Sequence, residues 1–175
     1  MKSESSAEEK VTQERLKEVL HYSPETGEFV WKVQLSRRTP AGSKACKRPS
    51  RGRYRVCIEG VLYFAHRLAW LYVHGELPSS TIDHIDRDPS NNRISNLRIA
   101  SDQQNKANRP SQNNSKPYRG VHRMVNRYVS QITYQGKSIY LGSFSCPIEA
   151  HERYKAKHLE LHGEFSVYAQ QKDTA

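Results

Sequence analysis

Leu16, Val19 and Leu20 recur at helical spacing behind Thr12, a good N-cap residue, and predict a first helix over Thr12–His21. Ser23-Pro24-Glu25-Thr26-Gly27 reads as a turn, with proline at fixed φ and glycine free to take φ > 0. Glu28–Val33 follows as a short strand, and residues 34–53 read as an irregular loop. Tyr54–Glu59 and Leu62–Ala65 form two strands hinged at Glu59-Gly60. His66–His74 is helical, with Leu68, Leu71 and Tyr72 on one side and Gly75 closing it. Ile82 and Ile85 mark a short strand, Asp86–Ser95 a loop, and Ser101 the N-cap of a helix carrying Asn105. Asn108–Lys116 holds no apolar residue and reads as a linker. Beyond it, Tyr118–Val121, Tyr128–Tyr134 and Ser138–Leu141 alternate like strands, with Gln135-Gly136 as a tight turn. Pro147–His162 is a helix, with proline in its first turn and Gly163 just past its end.

Composition sharpens this picture. The chain has 175 residues, 35% of them hydrophobic, which favours small cores over one large one. Its formal net charge is +10, which points to a polyanion, with nucleic acid ahead of an anionic membrane surface. The charge is concentrated: residues 31–75 hold 10 basic side chains against 1 acidic, and residues 115–163 hold 8 against 3, around a neutral centre. Val61–Val73 is the most apolar stretch, but it is too short for a membrane span and is broken by His66 and Arg67. The polar, acidic start MKSESSAEEK does not read as a secretory signal, so a cytoplasmic location is expected. Cys46, Cys57 and Cys146 show no C-x-x-C pair and suit free thiols in a reducing compartment.

The neutral centre carries the chemistry. In IDHIDRDPSNNRISNLRIASDQQN, Asp83 and His84 are adjacent, Asn96 follows twelve residues after His84, and Asn105 nine after that. Strand, loop and helix can bring such residues into one cleft. Phosphodiester hydrolysis needs a deprotonated water and stabilisation of the charge that develops on phosphate and leaving oxygen. Neutral imidazole, with a pKa of ~6.5, can take the proton at physiological pH. Oxygen donors such as Asp83 and the Asn105 carboxamide suit a hard divalent cation. Asn96 would tie the loop and orient His84.

This segment resembles the HNH (His-Asn-His) endonuclease motif in the ββα-metal form of phage and intron-encoded homing nucleases. AHRLAW (Ala65–Trp70) and G-E-L-P (Gly75–Pro78) resemble the segment that precedes it, so the likeness covers roughly residues 50–109. The resemblance implies a first metal position at Asp83, the general base at His84, the central asparagine at Asn96 and the last metal ligand at Asn105. The ion would be one Mg²⁺ or Mn²⁺. His66 divides between a structural hydrogen bond under its helix and a phosphate contact. Other histidines are assigned to surface or packing.

Tyr118-Arg119-Gly120-Val121, Tyr140-Leu141-Gly142-Ser143-Phe144 and the helix ending Leu161–Phe165 resemble the apetala-two/ethylene-response-factor DNA-binding domain, a three-stranded sheet backed by a helix. Period-2 alternation turns Tyr128, Ser130 and Ile132 toward the helix and leaves Gln131 and Thr133 outward. The resemblance places these two, with Arg119, Arg123 and Tyr140, on the DNA face. Arg53 and Arg55 of the basic loop, with Arg67, are assigned to DNA backbone.

The expected fold class is therefore α+β: a ββα-metal nuclease domain plus a small three-stranded antiparallel sheet packed on one helix. The expected boundaries are a nuclease domain over 1–109 with its core at 76–109, a linker at 110–116, the apetala-two-like domain at 117–168 and a tail at 169–175. The expected function is site-directed, metal-dependent cleavage of double-stranded DNA by a monomer, of the phage-borne homing or mobile-element kind, acting in the host cytoplasm without a membrane partner. A non-catalytic DNA-binding regulator on a degenerate scaffold is the rival reading. A basic protein bound to RNA or to a membrane surface is a second.

Overall fold

The protein is represented by a computed structural model that describes residues 11–37, 39–46, 52–110 and 117–169. Residues 1–10, 38, 47–51, 111–116 and 170–175 lie outside the described residues, and with them most of the expected linker at 110–116 and tail at 169–175. The chain divides into two compact units, residues 1–101 and 102–175. Both are mixed α/β with small antiparallel sheets. No helix among the described residues is long and apolar enough to cross a membrane.

The first unit begins with α1 (Gln13–Val19), where the Thr12 hydroxyl accepts the Arg15 N–H at 3.2 Å. The helix stops short of the expected His21. Leu20–Ser23 is instead strand β1, paired in register with β2 (Glu28–Trp31), so Leu20 faces Trp31 and Tyr22 faces Phe29. Leu20 and Tyr22 fit either a helical or an alternating pattern, and pairing with β2 satisfies a row of backbone groups that an isolated β2 would leave open. The basic loop is also less irregular than its composition predicts. It returns beside β2, where Trp31 N–H donates to Ser43 C=O at 3.0 Å and Ala45 N–H to Phe29 C=O at 2.8 Å.

A second hairpin, β3 (Arg55–Ile58) and β4 (Val61–Phe64), leads directly into α2 (Ala65–His74), which Gly75 ends in the left-handed conformation. The third hairpin pairs β5 (Thr81–His84) with β6 (Leu97–Ala100). Strand β6 is not predicted by the pattern: Leu97 is buried while Ile99 lies exposed, so the four residues give no clean alternation. One apolar core joins these pieces, built on Leu16, Leu20, Tyr22, Phe29, Ile58 and Leu68 and reaching Ile82 and Leu97 on the third hairpin.

The second unit opens with α3 (Asp102–Asn108), whose Ala107 C=O accepts the Val167 N–H at 3.2 Å. Its sheet has the order β7-β8-β9, from Val121–Met124, Arg127–Tyr134 and Lys137–Phe144, with α4 (Pro147–His162) behind it. The first strand starts three residues later than predicted. Gly120 takes φ +77° and the Val121 N–H turns back to Tyr118 C=O at 3.2 Å, which breaks an extended run through YRGV. Ser130 and Ile132 are buried, whereas Gln131 and Thr133 are exposed. The core under α4 is small and partly polar. Ile132, Ala150 and Tyr154 share it with His158, whose Nδ1 lies 2.8 Å from Ser166 Oγ. That oxygen also accepts the Tyr168 N–H at 3.2 Å.

Two predictions follow from this packing. A Cβ on Gly120 would lie 1.9 Å from the Tyr154 ring, on a backbone conformation that side chains rarely adopt. Gly120→Ala is therefore expected to destabilise the protein by about 2 kcal/mol or more, read from urea unfolding. Burial, reinforced by His162 and Arg119, pushes the His158 imidazole down to about 3. In the unfolded chain it titrates at ~6.5, so between these values the unfolded state binds more protons. Its stabilising contribution is whole above pH ~6.5 and is lost as pH falls toward the folded value. The melting temperature should fall across that window, and His158→Gln should make the fall shallower.

Candidate active site

Asp83 and His84 are the last two residues of β5, and both are buried. Antiparallel register sets Asp83 across from Arg98 on β6. The guanidinium donates to Asp83 Oδ2 from Nε at 3.2 Å and from Nη2 at 3.1 Å. Both side chains are nearly inaccessible, at 8% and 12% exposure, so this is an enclosed pair. Removing one partner of such a pair leaves a buried charge and costs about 3–5 kcal/mol. The strand thus delivers a carboxylate held in one orientation beside the histidine.

His84 has two notable neighbours. Its Nε2 lies 3.3 Å from Asn92 Oδ1, and its ring meets the His66 ring edge-on at 5.2 Å. Burial lowers the His84 pKa, while the Asn92 hydrogen bond and the charges of Asp86 and Asp83 oppose the shift. Burial together with His84, Arg53 and Arg67 pushes His66 down to about 3. Both imidazoles are therefore neutral at physiological pH, the form in which a histidine can accept a proton. His66 also stacks on Phe64 at 5.5 Å, and the Arg55 guanidinium covers that phenyl ring at 4.5 Å, with Arg53 at 5.8 Å. Arg53 and Arg55 are exposed and Arg67 half-buried, so a cationic rim borders the imidazole pair.

Asn96 closes the loop that leaves β5. Its Nδ2 donates to Asp86 Oδ1 and to Asn91 C=O, both at 2.9 Å, and its Oδ1 accepts the Asp86 N–H at 3.0 Å. Its backbone C=O accepts the Ile85 N–H at 2.8 Å. Three links to residues 85–86 and one to 91 pin the loop at both ends. Asn92, four residues before Asn96, is the asparagine whose side-chain oxygen lies beside His84 Nε2. Asn105 is half-buried on α3, in the second unit.

Sequence reasoning missed Asn92 and Arg98. Asn92 sits in a run of turn-forming residues that carries no periodic signal. Arg98 becomes legible only with the β5–β6 register, which would have paired it with Asp83.

Asp83 and Asn105 offer hard oxygen donors of the kind that Mg²⁺ or Mn²⁺ takes. Among the described residues, no group of three or more His, Cys, Asp or Glu comes together to hold a metal ion.

In the second unit, Arg119, Gln131 and Thr133 line a cleft of about 740 Å³, with Lys106 of α3 and His158 and His162 of α4 on its other walls. Gln131 Nε2 lies 3.2 Å from His122 Nε2, and Arg119 Nη1 donates to Arg109 C=O at 2.9 Å. Arg123 borders a smaller cleft of about 490 Å³ with Tyr118 and Tyr128. Tyr140 projects into solvent at 65% exposure.

No solved structure matches this chain. Its first 104-residue match among known proteins is 33% identical to an uncharacterised HNH endonuclease of Acanthamoeba polyphaga mimivirus, covering 58% of this chain and 54% of the relative. The chain thus spans about half the length of the relative that it matches. Residues 63–107, which run from β4 through the Asp83–His84 hairpin to α3, match the family model described as HNH endonuclease.

Proposed function

We propose that the protein is an HNH-type DNA endonuclease in which the β5–β6 hairpin carries the chemistry and the second unit holds duplex DNA. The observation that carries the reading is His84: a buried imidazole, neutral at physiological pH, next to a fixed carboxylate and inside the span that matches the HNH endonuclease model. In the proposed reaction, His84 accepts a proton from water as the water oxygen bonds to phosphorus. The bond from phosphorus to the 3′ oxygen breaks and that oxygen takes a proton from solvent water, leaving a 5′ phosphate and a 3′ hydroxyl, and His84 then returns its proton to solvent. Asp83 and Asn105 are the proposed ligands of Mg²⁺ or Mn²⁺. Such an ion, when bound, neutralises charge on the phosphate and on the departing oxygen. Asn96 keeps the loop in the shape that presents His84. Arg53, Arg55 and Arg67, beside the imidazole pair, would hold the phosphate backbone near the cut.

For the second unit, a three-stranded antiparallel sheet backed by one helix supports the apetala-two-like reading over residues 117–168. Gln131 and Thr133 are exposed and would face base edges, while Arg119, Arg123 and Tyr140 would position the duplex. The viral source of the relative is in keeping with a phage-borne homing or mobile-element nuclease, working as a monomer in host cytoplasm.

A supercoiled-plasmid assay with Mg²⁺ or Mn²⁺ tests the chemistry. His84→Ala is expected to slow nicking by about 10²- to 10⁴-fold while DNA affinity stays within about twofold. Equal nicking by both proteins would leave the DNA-binding regulator as the better description. Arg119→Ala should weaken duplex binding and reduce the slope of log affinity against log salt by about 1, without changing the rate on saturating DNA. Binding titrations across a salt series read this directly. Tighter binding to anionic vesicles or single-stranded RNA than to duplex DNA would overturn the assignment of the partner.

A further inference from the structure

Two hydrogen bonds of one side chain decide how His84 carries its proton. Asn92 is buried at 3% exposure, and its Nδ2 donates to Ser90 C=O at 3.1 Å. That bond fixes the amide orientation, so the oxygen faces His84 Nε2 at 3.3 Å. An amide oxygen only accepts, so the imidazole must carry its hydrogen on Nε2, and in the neutral ring Nδ1 bears the lone pair.

Asn92 is in turn held by a distant part of the chain. The Tyr22 hydroxyl, at the end of β1, donates to Asn92 C=O at 2.7 Å. Gly27, in the turn between β1 and β2, passes so close that a Cβ there would lie 2.6 Å from backbone atoms of both Asn92 and Arg93. The Arg93 guanidinium closes the contact by donating to Glu25 C=O. The whole β1–β2 hairpin lies outside the 63–107 span that matches the HNH endonuclease model.

We infer that Asn92 is a positioning residue that locks His84 in the Nε2–H tautomer, and that the β1–β2 hairpin keys Asn92 into place. The inference rests on the nuclease reading for its consequence, since the tautomer sets which ring nitrogen can take a proton from water. Its geometry stands apart from that reading.

The test is a nitrogen-15 spectrum of the histidine side chains in the full chain at about pH 8, above the ordinary imidazole range. The wild type should show His84 as the Nε2–H tautomer. Asn92→Ala should turn this into a mixture, and Asn92→Asp, whose oxygens also accept, should restore it. Tyr22→Phe removes one hydroxyl and keeps the buried ring, so it should shift the tautomer partway in a folded protein. In parallel, Asn92→Ala should lower kcat on plasmid DNA by roughly tenfold to a hundredfold with KM unchanged, a smaller loss than removal of the base itself. An unchanged tautomer in Asn92→Ala and Tyr22→Phe would overturn the inference, whatever the nuclease activity. A tautomer that follows Asn92 in a protein that cuts no DNA would support the lock and overturn the nuclease reading.

Discussion

The candidate site depends on the antiparallel register of two four-residue strands, β5 and β6. With Thr81 across from Ala100, Asp83 must fall opposite Arg98 and His84 opposite Leu97. A slip of one residue would exchange the faces of the whole strand, separating the carboxylate from its guanidinium and turning the imidazole away from Asn92. The loop between the strands is too polar to set this register by hydrophobic burial. Asn96 sets it by hydrogen bonding, with Asp86 and Ile85 at one end of the loop and Asn91 at the other. One carboxamide therefore does for the loop what an apolar staple does elsewhere.

Much of this arrangement could be read from the residues. Alternation and turn chemistry locate the β3–β4 hairpin, α2 and α4, because each has a clear period and a glycine or proline at its boundary. The same logic fails where two periods coincide, as at Leu20 and Tyr22, where the predicted helix gives way to strand β1. It fails again at Leu97–Ala100, where side chains answer to Asp83 and the core at once. The spacing of Asp83, His84 and Asn96 is visible in the chain, but partners such as Arg98, Asn92 and Tyr22 are not. They depend on which strand pairs with which, and Tyr22 reaches Asn92 across 70 positions. A linear pattern holds no trace of such a contact.

The two units solve the problem of a small core differently. The first gathers aromatic and aliphatic side chains from three hairpins and two helices around Leu16, Tyr22 and Phe29. The second buries His158 and Ser166, which are hydrogen-bonded to each other at 2.8 Å, along with a Ser130 hydroxyl that has no hydrogen-bond partner among the described residues. Satisfied polar groups specify one arrangement closely but add little net stability. The second unit therefore gains definition more than strength from its interior.

The pairing of β8 with β9 skips a residue: Ser130 faces Gly142, but Gln131 faces Tyr140, leaving Leu141 surplus. In an unbroken ladder Tyr140 would stand across from Ile132 and point beneath α4. The surplus residue, accommodated beside Gly142 at φ +132°, rotates Tyr140 to the opposite side, where it joins Gln131 in the solvent. Deleting Leu141 would therefore leave a continuous ladder with Tyr140 still across from Gln131, whereas closing the ladder with Leu141 retained would trade an outward aromatic for a buried one.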